Sequence, residues 1–172
     1  MTCSVFIASS IDGFIATDDD GLQWLEAYEN PGGSDYGYAE FMRRVDAIVM
    51  GRRTYELVLG FGTWPYEVPG YVLSSTKADD TRVQFVKGGA RAAVQAAKAN
   101  GHERLYVDGG KTIQGFLEED LIDEMIITTI PIILGNGIPL FASGASSRQF
   151  SVNSVRQLGP FIQSHFTRQR KP

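Results

Sequence analysis

The stretch Ala47-Ile48-Val49-Met50-Gly51-Arg52-Arg53-Thr54-Tyr55-Glu56 decides how this chain is read. Four apolar residues in a row make a short buried strand. Gly51 ends it, and two arginines and a threonine lead into a helix. Strand, glycine, cations and helix N-terminus in that order make a site for an anion. The free N–H groups of the first helical turn point at the ligand, and the helix dipole adds to them. Gly51 lets the backbone approach closely, while Arg52 and Arg53 offer planar donor forks suited to phosphate oxygens. On this segment alone, a capped helix with two solvated arginines is an even alternative.

Length and composition narrow the field. The 172 residues make one domain, 1–172, able to bury roughly two-thirds of its unfolded surface. A hydrophobic content of 43% with 21% charged residues is that of a globular chain, not a disordered one. The net charge of −4 argues against nucleic acid as the main partner, since phosphate neutralisation needs a basic face. Arg168, Arg170 and Lys171 read as a solvated tail end. No apolar run approaches the ~20 residues of a membrane span. The N-terminus lacks a basic-then-apolar signal layout, so the chain is expected to be cytoplasmic. The single cysteine, Cys3, excludes an internal disulfide and is expected to be buried.

Metal chemistry has few ligands to work with. Cys3, His102 and His165 cannot build an all-Cys/His zinc site. Asp18-Asp19-Asp20-Gly21 looks like part of a calcium loop, but Ala16 stands where the alternating ligand belongs. It reads as an acidic surface turn, and no metal is expected. Both histidines are expected to be structural.

Outward from Met50, the chain alternates strands and helices. Cys3 to Ser10 is a first strand, and Phe14 to Ala16 continues briefly. Leu22 to Glu29 and Asp35 to Val45 have helical spacing, separated by the breaker Asn30-Pro31-Gly32-Gly33-Ser34. The helix after Gly51 should run to about Leu59, followed by a loop from Gly60 to Gly70. Strands are expected over Tyr71 to Ser75 and Val83 to Val86. An alanine-rich helix follows over Ala90 to Asn100, then a strand from Arg104 to Val107 and a helix from Thr112 to Glu119. Glu124 to Leu134 is a long β run whose Pro131 predicts a bulge or an edge. Ile138 to Phe141 reads as a short arm. Phe150 to Leu158 and Phe161 to Thr167 alternate as a hairpin about Gly159-Pro160. The fold class is therefore α/β: a single domain with a mixed, mostly parallel central sheet, helices on both faces and a C-terminal antiparallel hairpin.

Gly109-Gly110-Lys111-Thr112 mimics the end of a phosphate-binding P-loop, but Leu105 stands where the first glycine belongs, which disfavours a nucleotide triphosphatase. What remains is a second helix N-terminus able to accept a phosphate. Gly135-x-Gly137 is followed by Pro139 and reads as a turn. Ser74-Ser75-Thr76 places hydroxyls at a strand end. Three strand ends, before Gly51, Ser74 and Gly109, thus share one rim of an open α/β sheet. An extended ligand with several phosphates is the economical reading.

These motifs, taken in order, resemble the dihydrofolate reductase fold: Met50-Gly51-Arg52-x-Thr54-x-Glu56, then Leu73-Ser74-Ser75, then Gly109-Gly110 opening a helix. Ser10-x-Asp12-Gly13 with Ile15-Ala16, and Pro131-x-x-Leu134-Gly135-x-Gly137-x-Pro139-Leu140-Phe141, are similar to the reductase domain of riboflavin biosynthesis. The likeness spans nearly the whole chain and implies NADPH as cofactor. It implies that Arg52 with Ser74 or Ser75 holds the adenosine 2′-phosphate. Gly51, Arg53, Thr54, Gly109, Gly110, Lys111 and Thr112 would surround the pyrophosphate, and the backbone near Ala8 would meet the nicotinamide carboxamide. For the proton donor it implies Asp12, within the Ser-x-Asp-Gly motif, or Asp35, on the helix before Met50-Gly51. A turn-forming role competes for Asp12 and a helix cap for Asp35. Trp24, Phe41 and Trp64 would line the substrate pocket, with plain core packing the competing reading of Phe41.

The chain has neither the cysteines nor the length for the deaminase domain of the bifunctional riboflavin enzymes. No extra cations stand out for a sugar phosphate. The expectation is a stand-alone NADPH-dependent reductase of a pteridine- or pyrimidine-type heterocycle, most like the 5-amino-6-(5-phosphoribosylamino)uracil reductase. Dihydrofolate reductase activity and a non-catalytic NADP-binding module are the alternatives. The resemblance also implies a homodimer.

Overall fold

The elements follow one another as β1 (Thr2–Ser10), β2 (Phe14–Ala16), α1 (Gln23–Glu26), α2 (Tyr38–Met42), β3 (Ala47–Gly51), α3 (Arg52–Leu59), β4 (Gly70–Leu73) and β5 (Val83–Val86). Then come α4 (Ala90–Ala99), β6 (Arg104–Asp108), α5 (Gly110–Glu118), β7 (Glu124–Ile130), β8 (Ile138–Pro139), β9 (Phe150–Leu158) and β10 (Phe161–Arg168). The computed structural model describes residues 1–30 and 32–169. The expectations for Pro31, Arg170 and Lys171 lie outside the described residues.

Period-two alternation sorts the core into layers. Along β3, Ala47 and Val49 enter one buried cluster while Ile48 and Met50 enter another. The first cluster also receives Ala90, Ala93 and Ala97 from α4 and Ile113 and Phe116 from α5. The second receives Phe41 from α2 and Tyr55 from α3. Helices therefore cover both faces, as a strand apolar on both sides requires. Small alanines at helical spacing let α4 lie close to the sheet.

The main sheet has the order β5-β4-β3-β6-β1-β7-β10-β9. Pairings from β5 through β7 are parallel, and β10 is antiparallel to both β7 and β9. From β3 the chain moves outward to β4 and β5, then returns to insert β6 between β3 and β1. The carboxyl ends of β1, β3 and β6 thus meet at the place where the connections diverge, where α/β sheets bind ligands. A separate two-stranded ribbon, β2 with β8, folds over this rim.

Several expected boundaries are corrected. The run Glu124 to Leu134 stops as a strand at Ile130, because Pro131 has no N–H to continue the ladder. The first two helices are short. Tyr36 and Gly37 have positive φ (53° and 90°), which delays α2 to Tyr38. Tyr28 turns aside from α1 to meet the Phe161 ring at 5.2 Å, and its hydroxyl donates to the Pro131 carbonyl at 3.2 Å. The strand expected to reach Ser75 ends at Leu73. Ser74 and Thr76 form a turn of their own, with the Thr76 N–H donating to Ser74 Oγ at 3.1 Å. Cys3 is buried, as expected. Among the described residues, no helix is long and apolar enough to cross a membrane.

Candidate active site

The two strand-to-helix corners at Gly51 and Gly109 interlock. A Cβ on Gly51 would lie 3.0 Å from Thr112 Oγ1, and a Cβ on Gly109 would run into Thr54 Oγ1. Each glycine therefore makes room for the threonine of the other corner, bringing the N-termini of α3 and α5 side by side. The β2–β8 ribbon closes on the same place. A Cβ on Gly110 would lie 3.0 Å from Ile138 Cγ2 and 3.2 Å from Ile15 Cδ1. Backbone N–H groups from two helix starts consequently face one space.

That space is a cavity of about 870 Å³ across the carboxyl rim. Ala8, Gly51, Arg52, Arg53, Thr54, Gly109, Gly110, Lys111 and Thr112 all line it. Ser74 and Ser75 do not, yet the Ser74 turn is joined to the rim: Arg52 Nη1 donates to the Thr76 carbonyl at 3.4 Å, and Ser74 Oγ donates to the same carbonyl at 2.8 Å. The Arg52 guanidinium is further placed by Glu56 at 2.7 Å and lies 5.7 Å from the centres of the Tyr55 and Phe85 rings. Arg53 pairs with the Asp20 carboxylate and donates to the Asp18 carbonyl at 3.1 Å. The acidic turn after β2 thus belongs to the cavity mouth and is more than surface.

The remaining expected residues lie elsewhere. Asp12 is outside the cavity lining. It accepts hydrogen bonds from the Ser10 hydroxyl at 2.6 Å and from the Gly135 and Leu134 N–H groups at 2.7 and 3.1 Å. The Ser10 hydroxyl, with those amides, holds its carboxyl below the usual range. Asp35 accepts from the Ala39 and Gly37 N–H groups at 2.7 and 3.0 Å, and the Ala39 bond is the main cause of its lowered pKa. Both carboxylates accept backbone N–H groups, which favours their ionised form. Neither Asp12 nor Asp35 is among the residues that line the cavity. Trp24 packs on Ile130 and Phe161, Phe41 on Phe6 and Tyr106, and Trp64 on Tyr55, and none of the three lines the cavity. They pack in the aromatic clusters beside the sheet.

Besides Asp18 and Asp20 at its mouth, the cavity is lined by a third acid, Asp108, the last residue of β6. Alternation places it on the Tyr106 face of the sheet, beside Phe6 and Tyr66 of the same lining. Burial pushes its carboxyl up to about 6, although the Gly109 N–H donates to Oδ1 at 2.8 Å and the Tyr106 and Tyr66 hydroxyls pull the other way. Burial and the Asp108 charge in turn raise Tyr38 to about 12 and push Tyr66 up as well. A carboxyl poised near neutrality among phenols can hold or release a proton inside the cavity. Its sequence signal was its place at a strand end just before Gly109-Gly110, which reads first as a turn residue.

Residues 2–164 match the RibD C-terminal domain. A Shewanella sp. PV-4 protein, "Putative riboflavin biosynthesis protein", is similar at 44% identity and TM-score 0.92, over 99% of this chain and 100% of that one. The Bacillus subtilis (strain 168) "Uncharacterized protein YwjB" is 36% identical over 169 residues, 95% of this chain and 96% of YwjB. The Thermotoga maritima diaminohydroxyphosphoribosylaminopyrimidine deaminase/5-amino-6-(5-phosphoribosylamino)uracil reductase shares the fold at TM-score 0.73 and 14% identity, over 98% of this chain and 56% of that one. The resemblance read from the ordered motifs is borne out: the chain belongs to the RibD C-terminal domain family, a family of reductase-type oxidoreductases.

Proposed function

We propose that the chain is an NADPH-dependent reductase of a pteridine- or pyrimidine-type heterocycle. The observation that carries this reading is the convergence of two helix N-termini, Arg52 and the half-buried acid Asp108 on one cavity. In this reading Arg52 and the Ser74–Thr76 turn take the adenosine 2′-phosphate, a planar fork against a dianion. Gly51, Arg53, Thr54 and the Gly109–Thr112 corner take the pyrophosphate, and the backbone near Ala8 takes the carboxamide. The corners fit the group because neither helix start is capped by a side chain, which leaves its first N–H groups for an anion.

NADPH, when bound, supplies the hydride. The chain's own residues do the rest. The cavity walls orient the acceptor and exclude water, and Asp108 gives a proton to the heteroatom of the reduced double bond. Asp108 acts in its protonated form, so kcat/KM should fall as pH rises through about 6.

The test is an NADPH-oxidation screen across dihydrofolate, the ribosylamino-pyrimidine of riboflavin synthesis and simple carbonyl compounds. A heterocycle reduced by the wild type and not by Asp108→Asn, with NADPH affinity retained in the variant, supports the reading. Undiminished turnover in Asp108→Asn removes the acid from the mechanism. Failure of the wild type to bind NADPH removes the cofactor.

A further inference from the structure

The charge around the cavity says what kind of ring it takes. This inference rests on the reductase reading and narrows it. Among the described residues lining the cavity, the cations are Arg52, Arg53 and Lys111. Arg52 and Arg53 begin α3, and Lys111 lies in the first turn of α5. All three belong to the helix starts that suit the cofactor's phosphates, and Arg53 already shares its charge with Asp20.

The wall around Asp108 is of another kind. Phe6, Tyr66 and Tyr106 flank the acid, with Tyr38 edge-on to Phe6 at 5.6 Å and to Tyr106 at 6.3 Å. Arginines on neighbouring elements do not line the cavity, and three of them are engaged elsewhere. Arg44 pairs with Glu124 at 3.4 Å, Arg82 pairs with Asp80 at 2.8 Å, and Arg156 donates to Gln163 at 2.6 Å. The other charged groups of the lining, Asp18 and Asp20, are acidic. A phosphate dianion placed at this wall would lose its water and meet a carboxyl, with no cation to offset either cost. A flat ring whose edge carries N–H donors loses nothing comparable. Its donors can pair with the Asp108 carboxyl while its faces meet phenyl and phenol rings.

We propose that the reducible substrate is a phosphate-free heterocycle, with an N–H edge directed to Asp108 and its ring lying against Phe6 and Tyr106. The chain would then differ from the phosphoribosylamino-uracil reductase of Thermotoga maritima, whose name specifies a phosphorylated substrate. Phosphate recognition at this cavity would be reserved for the cofactor.

The test compares 5-amino-6-(ribosylamino)uracil with its 5′-phosphate and adds 7,8-dihydrobiopterin as a phosphate-free pteridine. Each is titrated calorimetrically into protein saturated with NADP⁺, and each is offered for turnover with NADPH. The expected result is that a phosphate-free compound binds and that adding the phosphate leaves Kd unchanged or raises it up to about tenfold. A 5′-phosphate that binds tenfold or more tightly than its riboside overturns the proposal. So does failure of both phosphate-free compounds to bind while NADP⁺ binds normally. If NADP⁺ itself fails to bind, the cofactor reading falls separately, and the same titrations on the protein alone still decide between ester and riboside.

Discussion

The Asp20 carboxylate accepts the Nε–H of Arg53, joining the acidic turn after β2 to the first turn of α3 across the mouth of the cavity. Asp20 holds this position with a positive φ of 65°, a conformation that non-glycine residues rarely adopt. Its neighbour Asp18 is anchored in turn by Asn136, whose Nδ2 donates to Asp18 Oδ2 at 2.6 Å. A cofactor phosphate bound at Arg53, as proposed, would compete with this internal anion. Asp20→Asn should therefore tighten NADPH binding about two- to fivefold, the range of an exposed ion pair. It should also steepen the salt dependence of binding. Fluorescence titration at two ionic strengths checks both, and unchanged or weaker affinity would show that Asp20 positions Arg53 and does not compete for it.

Arg52 is the residue expected to distinguish NADPH from NADH. Its guanidinium is fixed by Glu56, the Thr76 carbonyl and two aromatic rings, so little freedom remains to be lost on binding a phosphate. A charge-assisted hydrogen bond contributes about 1.5–3 kcal/mol. Arg52→Ala should lower the preference for NADPH over NADH roughly tenfold to a hundredfold, with NADH affinity little changed. Equal losses for both cofactors would place Arg52 away from the 2′-phosphate.

The interlocked corners give a prediction about stability. Gly109 has φ of 93°, and a Cβ there would collide with Thr54. Gly109→Ala should destabilise the fold by about 1–3 kcal/mol and weaken NADPH binding together. Gly115, inside α5, has open space where a Cβ would go. Gly115→Ala should stabilise by about 0.5–1 kcal/mol and leave NADPH affinity alone. Thermal melts with and without NADPH separate the two. A neutral Gly109→Ala would mean that the corners are not rigid.

The outer end of the sheet bears on the expected homodimer. β9 is an edge strand, and the register places Val152 opposite Phe166 and Val155 opposite Ser164. Val152, Val155 and Ile162 therefore share one face, each more than half exposed at 60%, 61% and 52%. An unprotected edge beside an apolar face favours pairing with a second copy. Light scattering should find two copies per particle, and Val155→Lys should shift it to one. A wild type that is monomeric at high micromolar concentration refutes the pairing.

What could be read from the sequence was what depends on local pattern. Ala47–Gly51 into Arg52–Leu59 formed as expected, and Val83–Val86 and Phe150–Leu158 kept their expected bounds, because alternation and a following glycine set them within a few residues. The two acids expected to do chemistry both hold backbone amides, one locally and one across the fold. Asp35 takes up the Gly37 and Ala39 N–H groups just ahead of it in the chain, whereas Asp12 receives the Leu134 and Gly135 N–H groups from the distant segment after β7. Asp108 was passed over because its character is not local. Its burial comes from Phe6 on β1 and Tyr66 in the loop before β4, far apart in the chain and joined only by the sheet order. The acidic turn at Asp18–Asp20 was invisible as a partner of Arg53 for the same reason.

Asp108 also carries a prediction about the folded state itself. A carboxyl in the unfolded chain titrates at about 3.9, whereas burial holds it up to about 6 in the folded protein. Between those values the folded state keeps a proton that the unfolded state has released. The stability this group contributes is thus fully present below about 4 and is lost as pH rises through about 6, after which it no longer changes. Asp108→Asn carries no titrating group, so it should remove this slope and leave the variant with a Tm above that of the wild type at pH 7–8. The same variant should lose the fall in kcat/KM through about 6, along with most turnover. Melts from pH 4 to 8 on both proteins decide the first point independently of any substrate. Parallel curves would mean that Asp108 is solvated and ionised like a surface carboxylate, and unsuited to hold a proton at the site.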